Sequence, residues 1–200
     1  MAQAEHPAPE TRELILATAE AHLRRYGYAR TTVSEIARSC KMSHANVYRF
    51  FGNKAEIIDA VISRWLTGIE QALEAIANQQ NSASEQLYTY VLELHRIKRE
   101  KLSNDLELFE ALIAVAKADR QVVERHTYIL NSLLQEILMG GVQRGEFKIT
   151  NIEQATVAVT AATLKFHHPL MVKEYLHENT EEQIGTVVKL LTTSFAAGCV

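Results

Sequence analysis

Ser43, His44, Ala45, Asn46 and Arg49 lie close together and carry the side chains that read base pairs. An arginine pairs bidentately with guanine, an asparagine with adenine, and an alanine methyl meets the thymine methyl. Residues at the N-terminal end of a helix are the ones that reach base edges in a major groove. These five therefore face DNA if Ser43 caps a helix starting at His44. The hydroxyls of Thr31 or Thr32 and of Ser43 suit contacts to the phosphate backbone.

Two short helices must position these groups. Thr31 or Thr32 caps a run in which Val33, Ile36, Ala37 and Cys40 fall on one apolar face. Lys41, Met42 and Ser43 turn the chain. The second run, His44 to Phe51, buries Val47 and Phe51, with Phe50 packing beside them, and leaves His44, Asn46 and Arg49 outside. Two short helices at a steep angle form a helix-turn-helix. Charge agrees with that reading. From Arg24 to Lys54 there are seven basic residues and one acidic residue, Glu35, a local +6 in a chain of net charge −3. A basic segment on an acidic body points to a localised anionic partner.

The stretch from Ile15 to Ile57 resembles the DNA-binding domain of the tetracycline-repressor (TetR) family of bacterial transcriptional regulators. The resemblance rests on Ile15-Leu16, Ala19, Gly27-Tyr28, Thr31-Thr32-Val33, Ile36-Ala37, Ser43, Val47-Tyr48, Phe51, Lys54 and Glu56. It implies that Tyr48 and Lys54 lie over phosphates. It also implies a small-molecule effector held in the C-terminal part, and a homodimer paired through the two C-terminal helices. Three positions depart from the family pattern, which usually has Gly at Lys41, Phe at Leu23 and an acidic residue at Ala55. Lys41 is then expected to take a left-handed backbone, at a cost of about 1 kcal/mol.

The 200 residues are 47% hydrophobic and 22% charged, enough for a packed core. With few breakers, about nine helices and no strand are expected, an all-α protein. A disordered lead-in (residues 1–9) precedes a first helix from Glu10 to Tyr26, with His22 packed at its buried stripe. The domains divide as 10–56, the helix-turn-helix domain, and 57–200, a helical effector-binding and dimerisation domain. So small a first unit is marginal alone and should dock onto something larger. A long helix from Lys54 to about Ala77 links the halves. Helices follow over Glu85–Lys101, Asp105–Ala118, Asp119 to about Met139, Ile152–His167 and Thr180–Ala197. Gly140-Gly141 and Gly145 mark a turn.

No membrane-spanning run and no signal peptide are expected, and Cys40 and Cys199 read as reduced thiols, so the expected location is cytoplasmic. Cys40 reads as a small buried thiol. His167 and His168 are adjacent and complete no metal-ligand spacing; no metal site, cofactor or catalytic constellation is expected. Trp65, Tyr88, His95, Phe109, His126 and Phe166, with Tyr90 and Tyr128, are the candidates for lining an effector pocket. The expected function is a dimeric, ligand-responsive regulator, a repressor rather than an activator, on a pseudo-palindromic operator of double-stranded DNA. A helical enzyme or carrier, or a constitutive DNA binder without effector, are the competing classes. The first predicts sequence-blind DNA binding, and the second no stabilising small molecule.

Overall fold

The computed structural model describes residues 8–118 and 120–198. They form ten helices and no strand: α1 (Ala8–Arg30), α2 (Val33–Ser39), α3 (His44–Tyr48), α4 (Lys54–Ala77), α5 (Ala83–Asn104), α6 (Leu106–Lys117), α7 (Gln121–Gln143), α8 (Ile152–His167), α9 (Pro169–Glu174) and α10 (Glu181–Ala197). The all-α expectation holds, with α9 as an additional short helix. Pro169 supplies the fixed φ that opens it while ending α8. Of the expected lead-in, residues 1–7 lie outside the described residues, as do Asp119 and Cys199; Ala8 and Pro9 open α1. No helix of the described residues is long and apolar enough to cross a membrane.

The chain divides into two compact units. The first takes the chain up to Leu66 together with Asp105–Val123, and the second takes Thr67–Asn104 and the chain from Glu124. In the first unit, Ile15, Leu16, Ala19 and Leu23 of α1 are buried, as are Val33, Ile36 and Ala37 of α2 and Val47 of α3. The early part of α4 adds Ile57, Ile58, Val61, Ile62, Trp65 and Leu66. A three-helix domain was expected to be marginal alone; here α6 packs along α1 and brings Leu108, Phe109, Leu112 and Val115 into the same unit. Gly27 breaks α1 with φ 73° and ψ 175°, and a Cβ there would strike the Glu107 carboxylate of α6. Polar ties reinforce the packing: Arg24 pairs with Glu20 and Asp105, Arg64 with Glu13 and Glu20, and Arg120 with Asp59 at 2.6 Å.

In the second unit, α5 packs against α8, α9 and α10. Phe147 and Phe195 meet edge to face at 5.6 Å, and the Lys148 amide donates to the Phe195 carbonyl at 2.8 Å. The sequence reading ended α7 at Gly140-Gly141; the helix instead continues through both. Gly141 is buried there, and a Cβ would come within 2.7 Å of the Ala83 Cβ and closer still to the Phe147 ring. It is a packing glycine rather than a turn glycine. Only Gly145, at φ 74°, serves the turn.

Candidate functional site

The loop entering α2 decides which threonine reaches the surface. Thr31 is fully buried, and its hydroxyl and amide both donate to the Gly27 carbonyl, at 2.9 and 3.2 Å. This corrects its assignment as a DNA contact, since the side chain is used up in closing the break in α1. Thr32 is exposed and caps α2: its Oγ1 accepts from the Glu35 amide at 3.2 Å and donates to the Glu35 carboxylate at 3.0 Å. Ser43 caps α3 in the same way, accepting from the Asn46 amide at 3.1 Å. Between the two helices Lys41 has φ 56°, the left-handed backbone expected where a glycine is usual.

The five-residue α3 buries Val47 and leaves Ser43, His44, Ala45, Tyr48 and Arg49 exposed. Tyr48 is 44% exposed, with its ring edge to face against His44 at 4.8 Å. That contact holds the phenol at the surface instead of in the core. Ser34 Oγ lies 3.3 Å from His44 Nε2, so α2 braces the same imidazole. Asn46 is half-buried, its amide nitrogen 3.9 Å from the Met42 sulfur. Phe51 is buried with the Arg12 guanidinium 5.0 Å over its ring. Lys54 is half-buried: its ammonium donates to the Tyr28 carbonyl at 2.7 Å and lies 4.6 Å over the Tyr28 ring. Burial pulls its pKa below the usual lysine value, with Glu35 opposing. Cys40 is half-buried rather than fully so, and burial raises its thiol pKa.

A cap on each short helix, a left-handed turn between them and a polar outer face on the second make a helix-turn-helix. Two family profiles cover most of the chain. Residues 15–61 match the profile described as bacterial regulatory proteins, tetR family. Residues 83–188 match the tetracyclin repressor-like C-terminal domain. The chain belongs to the TetR family.

Among TetR-like solved structures, FadR from Bacillus subtilis in complex with stearoyl-CoA is 19% identical, with a TM-score of 0.65 over 90% of this chain and 97% of that one. RolR in complex with resorcinol is 18% identical, with a TM-score of 0.63 over 94% and 90%. A TetR/AcrR-family regulator from Thermobifida fusca is 18% identical, with a TM-score of 0.63 over 93% and 98%. At these identities the likeness is one of fold. No curated protein matches the chain. Both domains are thus those of a TetR-family transcription regulator.

The effector candidates of this TetR-family chain fall into different settings. Trp65 and Phe109 are core partners of the first unit, edge to face at 6.2 Å. Tyr88 is 39% exposed. His95 and Phe166 pair at 6.1 Å, and both imidazole nitrogens of His95 are used. Nδ1 faces the Phe166 carbonyl at 2.8 Å, so it carries the hydrogen, and Nε2 accepts from the Thr180 hydroxyl at 2.6 Å. His95 is therefore a satisfied structural histidine. His126 differs. It is 5% exposed, its Nδ1 sits 2.8 Å from Glu70 Oε1, and its Nε2 has no partner among the described residues.

Sequence reasoning missed Lys98, which lies next to His126 electrostatically and is only 5% exposed. It occupies the buried face of α5 between Leu94 and Leu102, four residues from each. Helical periodicity alone could have flagged a lysine at a core position. Burial lowers its pKa to about 8. Burial together with Lys98 also depresses His126, His167 and His168, with His167 falling to about 4.

Proposed function

We propose that this regulator binds a pseudo-palindromic operator as a homodimer, and that a small molecule taken up by the C-terminal part lowers its operator affinity, making it a ligand-responsive repressor. The observation that carries the DNA reading is the outward face of α3, where Ser43, His44, Ala45, Tyr48 and Arg49 stand exposed beside a basic segment. On this reading Arg49 and Asn46 read bases and Ala45 approaches a thymine methyl, while Thr32, Ser43 and Tyr48 hold phosphates. Lys54 offers its remaining ammonium hydrogens to the phosphate backbone while holding the Tyr28 carbonyl near the end of α1.

Dimerisation is supported by two uncovered stripes in the second unit. On α8, Val157, Ala161 and Leu164 are exposed, and on α10 Thr186, Leu190, Thr193 and Ala197 are exposed at helical spacing. Ile184, Val188 and Phe195 of α10 are buried within the chain. Paired α8 and α10 helices would make an isologous four-helix bundle. Coupling to DNA runs through α4, which is continuous from Lys54 to Ala77. A tenfold change in operator affinity requires only about 1.4 kcal/mol of differential binding.

The experiment is a titration of purified protein on genomic fragments at two salt concentrations, with Arg49→Ala alongside. Inverted half-sites protected by the wild type, and relaxed at one base position by the variant, support the reading. Uniform, salt-sensitive coating that Arg49→Ala leaves unchanged refutes it.

A further inference from the structure

The second unit holds a lysine at a core position, Lys98, without a counter-charge among the described residues. Lys98 makes no hydrogen bond or ion pair among the described residues, although a lysine is almost never fully buried unless paired. Its titratable neighbours are imidazoles: His126 of α7, His167 at the end of α8, and His168 after it all feel its charge. The nearest carboxylate in the group, Glu70 of α4, is engaged elsewhere. It lies 2.8 Å from His126 Nδ1, and the charge it feels is that of the exposed Arg125. His126 presents its unpartnered Nε2 from the other side of the ring. His167 Nε2 faces the Thr160 carbonyl at 3.4 Å.

A fold gains nothing by leaving a buried imidazole nitrogen unanswered, and the Lys98 ammonium, whose charge reaches the same ring, has no counter-charge either. Their shared deficiency is an anion with hydrogen-bonding oxygens. The cluster is not arranged for a metal, since no three ligating side chains of the described residues converge, and a cation would be repelled by Lys98. One lysine, with no arginine directed at it, suits a monoanion better than a phosphate dianion. Apart from these groups, the flanking positions on the same helices are Leu94 and Leu102 on α5 and Ile69 and Leu73 on α4, all buried and apolar. The rest of the ligand is therefore apolar.

We propose that the effector is a small carboxylate with an aromatic or aliphatic body, its carboxylate paired with Lys98 and hydrogen-bonded at His126 Nε2. The proposal rests on the reading that the C-terminal part takes an effector, and names its chemical class. His126 is protonated on both nitrogens in the complex. Glu70 accepts from Nδ1–H and the ligand accepts from Nε2–H, so ligand uptake carries a proton with it. His95, with both nitrogens satisfied, takes no part.

The test is thermal unfolding of the full chain, wild type and Lys98→Met, in benzoate, octanoate, neutral benzamide and sodium chloride at matched ionic strength. Methionine has nearly the volume of lysine and needs no counter-charge. Lys98→Met should melt above the wild type in chloride. Benzoate or octanoate should raise the wild-type Tm by roughly 5 °C or more at a hundredfold excess over Kd, and leave Lys98→Met unmoved. Benzamide should raise neither. The proposal is overturned if Lys98→Met melts lower than the wild type, if both proteins shift alike, if benzamide matches benzoate, or if neither carboxylate shifts the wild type. Operator affinity measured on the same samples separates the two levels. Specific DNA binding without a carboxylate shift removes the anion site and leaves the regulator. A Lys98-dependent shift without specific DNA binding removes the regulator and leaves the anion site.

Discussion

Thr31 and Thr32 adjoin in sequence and do opposite things. Thr31→Val should cost about 1–3 kcal/mol, because the Gly27 carbonyl then loses a buried donor. Thr32→Ala should cost about 1 kcal/mol through the lost α2 cap, and should weaken operator binding as well. Chemical denaturation beside a binding titration distinguishes them: Thr31→Val changes stability with operator contacts kept, whereas Thr32→Ala changes both. Arg49→Ala, on an exposed position, should leave the melting point alone and cost about 1–3 kcal/mol at one base pair. The exposed face of α3 was legible in sequence because caps, turn and apolar spacing all agreed. Which threonine turns inward was not legible, since it depends on the break at Gly27. Nor was the burial of Lys98 legible, since it depends on the helices that pack against α5.

At the scale of elements, the turn between α2 and α3 stores strain in Lys41. Lys41→Gly removes the left-handed penalty but adds freedom to the unfolded chain, so a net gain of at most about 0.5 kcal/mol is expected. Unchanged or lower stability in denaturation would mean that the lysine side chain contributes contacts that offset the strain. Gly141→Ala should act the other way, losing about 1–3 kcal/mol because the added methyl has to displace Phe147 and Ala83. Helix existence and type were readable from the sequence for every helix but α9. The ends were not where packing overrides local signals. Two glycines suggested a stop in α7, yet Gly141 is there for close approach and the helix runs on to Gln143. Likewise α9 is too short for periodicity to announce it.

For the whole molecule, the proposed pairing surface and the titratable groups around Lys98 make separate demands. Leu190, 68% exposed on α10, is the centre of one uncovered stripe, so Leu190→Glu should yield a folded monomer by sedimentation with operator affinity reduced at least tenfold. Stability should also depend on pH through Lys98, His126, His167 and His168, with Glu70 and Arg125 as their charged neighbours. Lys98 titrates near 8 when folded and near its ordinary value of 10.5 when unfolded. Between those values the unfolded chain holds the extra proton, so stability rises with pH there, by about 3 kcal/mol at most. His167, near 4 when folded, gives the same sign lower down: stability falls as pH drops from about 6.5 toward 4. Denaturation midpoints across that range should trace both limbs, and Lys98→Met should abolish the upper one. Selecting bound fragments from sheared genomic DNA under competitor, and sequencing them, tests whether α3 reads sequence from a twofold pair. One inverted repeat is expected, enriched by the wild type and lost or relaxed with Arg49→Ala. Recovered fragments sharing no motif, or the same enrichment with Arg49→Ala, would contradict it.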